Sequence, residues 1–242
     1  MAKQDRAVRT RQELICSAAE VFDRRGFMSA SLADISTGAG VSTGALNFHF
    51  SSKKELGETV QAAAEESLRY ITTACTEARP SPLQTLIDAT HVLATQFGEN
   101  VVLRAGLGLD NDAAWDGGAE LWLKWRSWVR GMLTIAEYEG NLADGVLPDD
   151  ACSTIMAIVM GIESLGRKDA ALCPRCVVTR FWTMVLPSLA SEETRAEIDA
   201  AGSEVLARWG EHKRTGDGVT RHPPVARCDT CVDERWPDSH RR

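Results

Sequence analysis

Four of the seven cysteines in this 242-residue chain fall in two matched pairs, Cys173-Pro-Arg-Cys176 and Cys228-Asp-Thr-Cys231. As four thiolates the pairs can close a tetrahedral structural zinc site, with Zn–S of ~2.3 Å. As vicinal pairs they can cycle between dithiol and disulfide. Or they stay as reduced thiols with no further chemistry. The gap between the pairs far exceeds the roughly 15–20 residues of a zinc ribbon, so a shared site needs the end of the chain to fold back on Cys176. No βαβ pattern surrounds either pair, which counts against a thioredoxin-like motif. His91, His212, His222 and His240 are scattered. No Ser/His/Asp, Cys/His or paired-carboxylate set gathers in one plausible pocket. The expectation is a protein without catalysis and without a required cofactor. Structural zinc on Cys173, Cys176, Cys228 and Cys231 stays open, as do a redox- or zinc-sensing module and a small thiol or zinc enzyme.

A second constellation is made of small polar residues. Ser42, Thr43, Gly44 and Ala45 follow the break Gly38-Ala-Gly40. Small side chains at the start of a helix let it approach base edges and phosphates closely. The charge pattern agrees. The formal charge is −7, yet residues 1–54 hold eight basic groups against five acidic ones, a balance of +3. A basic head on an acidic body orients a molecule on a polyanion. His49 is not expected to bind a metal, since no second ligand lies at a suitable spacing.

The elements that must position these residues are helical from end to end. Leu14, Ile15, Ala18, Ala19, Val21 and Phe22 recur at helical spacing within Val8–Arg25, and Gly26 reads as the C-cap. Ser31 caps a short segment through Ile35, with Asp34 completing a capping box. Ser42 caps another over Thr43–Phe48, with Leu46 and Phe50 turned into a small core. Ser51-Ser52 opens a long helix from Lys53 toward Ala78. Helical patterns resume at Leu83–Phe97, Val101–Leu109, Ala119–Glu139, Asp149–Ser164, Cys176–Leu189 and Glu192–Trp209. Past Gly210, Gly and Pro crowd in and periodicity disappears, so 211–242 is expected to be a flexible tail. The longest apolar run, Ile155–Ile162, is less than half of a ~20-residue membrane span. The first twenty residues have no apolar signal-peptide core, and the cysteines are few and odd in number. Both suit a soluble cytoplasmic protein.

Two short helices joined by Gly-Ala-Gly and braced by longer ones have the layout of a helix–turn–helix, about residues 31–50. The string Phe22-Asp-Arg-Arg-Gly26, Ser31-Leu-Ala-Asp-Ile35, Gly40-Val-Ser-Thr-Gly-Ala-Leu-Asn-Phe-His-Phe50 and Ser52-Lys-Lys-Glu-Leu56 closely resembles the N-terminal domain of TetR-family transcriptional repressors. The resemblance covers about residues 8–68. It implies an all-α homodimer that binds palindromic double-stranded operator DNA and lets go on binding a small molecule in a helical domain over 69–210. Carried over by position, Ser31 belongs to the reader and Ser42, Thr43 and Gly44 begin the recognition helix. Asn47 lies within it, His49 closes it, and Lys53 meets a phosphate. The family often has Lys in place of Thr43 and usually a phosphate-binding Tyr in place of Asn47, which implies weaker sequence-independent binding.

Val101-Val-Leu-Arg-Ala-Gly-Leu-Gly-Leu109 followed by a Trp-bearing helix is similar to the γ-butyrolactone autoregulator receptors of actinomycetes. Trp122, Trp125 and Trp128 are spaced along one side of a helix, where a flat apolar wall could form. The resemblance singles out Trp125 as the cover of an effector pocket. Gln61 stands one turn before Ala64, where a polar contact is replaced, and Ile162 follows Gly161 where a Thr can stand. A more apolar pocket is implied, for a butyrolactone-like signal or, as in pseudo-receptors, an antibiotic or its intermediate.

Overall fold

The computed structural model describes residues 2–78, 81–118, 120–169 and 171–203. These form α1 (Ala2–Ser29), α2 (Leu32–Gly38), α3 (Thr43–His49), α4 (Lys53–Glu77), α5 (Pro82–Glu99), α6 (Val101–Leu109), α7 (Leu121–Tyr138), α8 (Pro148–Gly166), α9 (Pro174–Leu189) and α10 (Glu192–Glu197). Among the described residues there is no strand beyond an isolated bridge between Leu142 and Ala190. The all-α expectation holds. No helix among them is long and apolar enough to cross a membrane.

Two cores divide the molecule. The first joins Leu14, Ala18, Val21 and Phe22 of α1 to Ile35, Leu46 and Phe50, and to Leu56 and Val60 of α4. The second is larger and surrounds α5, whose side chains from Leu83 to Phe97 are nearly all buried. The boundary falls inside α4, because Leu56 and Val60 belong to one core and Ala64, Leu68 and Ile71 to the other. Helix α6 is shared. Val102, Ala105 and Leu109 face the first core while Leu103 and Leu107 face the second.

The caps explain the helix starts. Ser31, Ser42, Ser52 and Ser81 each accept from the backbone N–H three residues on, satisfying a donor that the first turn leaves without a partner. Several boundaries differ from the sequence reading. At Gly26 the helix breaks, as the sequence predicts, with φ 72°; a short helical stretch then continues α1 to Ser29. A Cβ on Gly26 would press on the Asp112 carboxylate, which accepts the Phe27 N–H at 2.7 Å. Helix α7 starts at Leu121, with Glu120 left-handed. The expected helix Glu192–Trp209 ends at Glu197. Its continuation leaves helical geometry because side chains of α5 claim its backbone: Gln84 accepts from the Asp199 N–H at 2.8 Å, Asp88 from the Ser203 N–H at 2.8 Å, and His91 Nε2 lies 3.0 Å from the Ala200 carbonyl. Residues 204–209 and the expected tail 211–242 lie outside the described residues.

Candidate functional site

The recognition helix is an exposed edge on a rigid base. Leu46 and Phe50 are buried, while Ser42, Thr43, Gly44 and Asn47 on the other side are exposed. Thr43 is steadied by its hydroxyl contact with Ser36 at 3.3 Å. No side chain but Ser42 approaches Gly44, so a ligand surface can come up against its backbone. His49 is half-buried at the end of α3 and lies edge-on to Phe48, their ring centroids 5.2 Å apart. Phe48 is 82% exposed on the same helix. Sequence reasoning missed it, since an aromatic at that position reads as core; only the burial of Leu46 and Phe50 shows that Phe48 points away. Ser31 contributes as a cap, accepting from the Asp34 N–H at 3.1 Å, while Asp34 holds Arg25 at 2.9 Å.

Lys53 is placed differently from expectation. Its ammonium donates to the carbonyls of Phe27 (2.8 Å), Met28 (3.2 Å) and Ala30 (2.9 Å), and lies 4.6 Å from the Phe27 ring centroid. These carbonyls belong to the last turn of α1 and the link beyond it, which attract a cation. Lys53 is thus the tie between α4 and α1 rather than a charge held out for phosphate.

The sensor half centres on Trp125, which is only 1% exposed. Its ring stacks on Trp128 with centroids 5.1 Å apart, and its indole N–H has no partner among the described residues. Trp122 is spent structurally, donating to the Leu107 carbonyl at 3.2 Å. Trp125, the expected cover of an effector pocket, is packed within the larger core in this structure. Ile162 lies in the same core, and Ala64 brings α4 to it. Gln61 donates to Asp110 at 2.8 Å, and Asp110 in turn accepts from the Trp122 N–H at 3.1 Å, capping α7. The Gln61 carbonyl oxygen is buried without a partner among the described residues. Burial pushes the Asp110 carboxyl up, against the opposing pull of the backbone N–H groups of Trp122 and Leu121.

A cavity of about 690 Å³ opens instead where the two halves meet. Its walls include Asp23 of α1, Arg104 of α6, Ile162 and Glu163 of α8, Arg167, and Pro174 of α9. Arg104 Nε donates to Asp23 at 2.8 Å. Arg167 bonds Asp23 and Glu163, and also the Arg104 carbonyl at 2.9 Å. One carboxylate on the reader is thus held by two guanidinium groups from the sensor.

Cys173 and Cys176 are joined in a disulfide. Bonded to each other, they do not present the two thiolates that zinc would need. Cys228 and Cys231 lie outside the described residues. Among the described residues no group of three or more His, Cys, Asp or Glu could hold a metal.

The model for bacterial regulatory proteins of the TetR family matches residues 14–60. Over 214 residues the chain is 30% identical to the A-factor receptor protein of Streptomyces griseus, covering 88% of this chain and 75% of that one. A solved γ-butyrolactone receptor (ArpA-like protein) superposes with a TM-score of 0.67 at 25% identity, over 81% of this chain and 95% of that chain. The TetR-family protein CprB from Streptomyces coelicolor, solved in complex with its operator sequence, gives a TM-score of 0.69 at 27% identity, over 79% of this chain and 94% of that chain. A reader domain with an exposed recognition helix, a helical sensor built around α5, and 30% identity across most of the chain have one common account: the chain belongs to the TetR family of bacterial regulatory proteins.

Proposed function

We propose that this protein is a transcriptional repressor that binds a palindromic operator as a homodimer and releases it on binding an apolar small molecule, a γ-butyrolactone-like signal or an antibiotic intermediate. The observation that carries the reading is α3. Four small or polar residues with room for a base edge stand exposed on a helix whose other side is anchored in the reader core. Likeness to CprB in its operator complex supports it. Likeness to the solved γ-butyrolactone receptor supports an effector of the lactone class.

Effector control needs a path from sensor to reader, and two features supply it. Helix α6 packs into both cores, and Asp23 is clamped by Arg104 and Arg167. An effector entering beside Trp125 must open a packed core, and the movement of α6 and α8 then reaches α1. A shift of populations from 1:99 to 99:1 requires about 5.5 kcal/mol of preference for the non-binding arrangement. The test is a gel shift against the DNA flanking the protein's own gene, followed by release with candidate lactones and culture extracts. Binding to a two-fold site that Thr43→Ala with Asn47→Ala weakens, and release by an extract fraction, is the expected result. Failure to retard any palindromic DNA would refute the repressor reading.

A further inference from the structure

The first turn of α9 carries chemistry that DNA binding does not use. Cys173 is the N-cap of this sixteen-residue helix, Pro174 follows at its start, and Cys176 completes the turn. A spacing of three residues across a helix start brings the two Cα atoms to 5.3 Å, within the ~4.4–6.8 Å span of disulfides. The Cys176 N–H donates to the Cys173 sulfur at 3.3 Å. When the S–S bond opens, this N–H and the positive end of the α9 dipole act on the Cys173 sulfur and favour its thiolate. Cys173 is half-buried and can be reached, whereas Cys176 is buried behind it. That is the division between an attacking and a resolving cysteine.

The other described cysteines are the contrast. Cys75 and Cys152 are buried and Cys16 is half-buried; burial pushes all three thiols up, Cys75 to about 12. They are held as thiols. The location of the pair is equally telling. Leu172 and Pro174 line the same interdomain cavity as Asp23, Arg104, Glu163 and Arg167. The turn that the disulfide closes is thus next to the clamp between sensor and reader.

We propose that Cys173–Cys176 is a reversible dithiol–disulfide site, in exchange with small cellular thiols, that closes or opens the first turn of α9 beside the Asp23 clamp. Reduction proceeds in two steps. A thiolate RS⁻ attacks the Cys173 sulfur, and Cys176 leaves as a thiolate that takes a proton from solvent. A second RS⁻ attacks the sulfur of the bound R group, forming RSSR and releasing the Cys173 thiolate. The protein disulfide and two RSH become the protein dithiol and RSSR; oxidation by RSSR is the reverse.

The test uses the full chain equilibrated in glutathione buffers from fully reduced to fully oxidised, trapped by alkylation and mapped by peptide mass spectrometry. The expected result is one reversible two-electron transition confined to the peptide carrying Cys173 and Cys176. Cys173→Ser abolishes it and Cys16→Ser leaves it in place. The wild-type map requires no variant to fold, so it decides the matter by itself. The proposal is overturned if both cysteines remain fully alkylated in the most oxidising buffer. It is also overturned if either is found joined to Cys228 or Cys231, or if the reduced protein holds one zinc per chain that Cys173→Ser releases. Because the readout is thiol state, this outcome is independent of operator binding.

Discussion

His91 and Lys53 show how single polar groups can be committed to structure in a regulator. His91 is buried on α5, and burial pushes its imidazole down to about 4 from an ordinary 6.5. A depressed value means that His91 favours the folded state above pH ~6.5, and that this contribution is lost as pH falls toward 4. The loss is on the order of 3 kcal/mol. Its neighbour Asp88 works the other way: burial raises its carboxyl despite bonds from Ser203 and Gln84, so its charged form opposes folding as pH rises. Comparing wild type with His91→Gln separates the two. The drop in melting temperature between pH 6.5 and 4 should be smaller in the variant, and an unchanged drop would remove His91 as its cause. For Lys53, Lys53→Met loses three charge-assisted bonds and a ring contact. A reader-domain destabilisation of roughly 1.5–3 kcal/mol is expected, with the salt dependence of operator binding unchanged. A shallower salt slope with normal stability would restore a direct phosphate contact. The residue types at α3 were legible in the sequence because small and polar groups stood between apolar anchors. The role of Lys53 was not, because its partners are carbonyls, which no side-chain pattern reveals.

At the scale of elements, periodicity located the ten helices of the described residues, and serine caps set the starts of four of them. It failed at the end of α10 for a definite reason. Residues 198–203 are compatible with a helix locally, and their departure is dictated by Gln84, Asp88 and His91, more than a hundred residues away. For the sensor, the tryptophan spacing showed the right helix, but whether Trp125 faces a cavity or a core depends on how closely its neighbours approach. Trp125→Ala should therefore destabilise the protein by about 3–5 kcal/mol, more than loss of an open pocket wall would. Trp125→Phe retains most of the packing and is the better probe of sensing; normal stability with lost effector response is the expected result from thermal melts and gel shifts. The contact between α4 and α6 offers a sharper test. A Cβ on Gly106 would lie 2.3 Å from that of Ala64, so the two helices pack backbone to backbone there. Gly106→Ala must push them apart. A loss of about 1–3 kcal/mol is expected, together with altered operator affinity, because α6 also supports the reader. Equal stability in denaturant melts would show that the helices can yield without strain.

For the whole molecule, the clamp on Asp23 joins two bodies that would otherwise meet mainly through α4 and α6. Asp23 is only 11% exposed at its side chain, while Arg104 lies on α6 and Arg167 directly follows α8. A double-mutant cycle of Asp23→Asn with Arg167→Met should give a coupling of roughly 0.5–3 kcal/mol. The same variants should bind effector normally but release DNA at an altered effector concentration. Additive effects on stability together with wild-type release would reduce the clamp to a surface detail.

The double allegiance of α6 has a consequence for the exchange of parts between regulators. A cut in the segment between α4 and α5, the obvious joint by chain position, separates the reader from Val102, Ala105 and Leu109, which close its core. A chimera made there inherits a foreign lid on its DNA-binding half. One that carries this face of α6 along with residues 2–78 preserves the lid, and moves the mismatch to the side of α6 that meets Leu103 and Leu107. Recombination in this protein is therefore constrained along a helix face rather than at a point in the sequence.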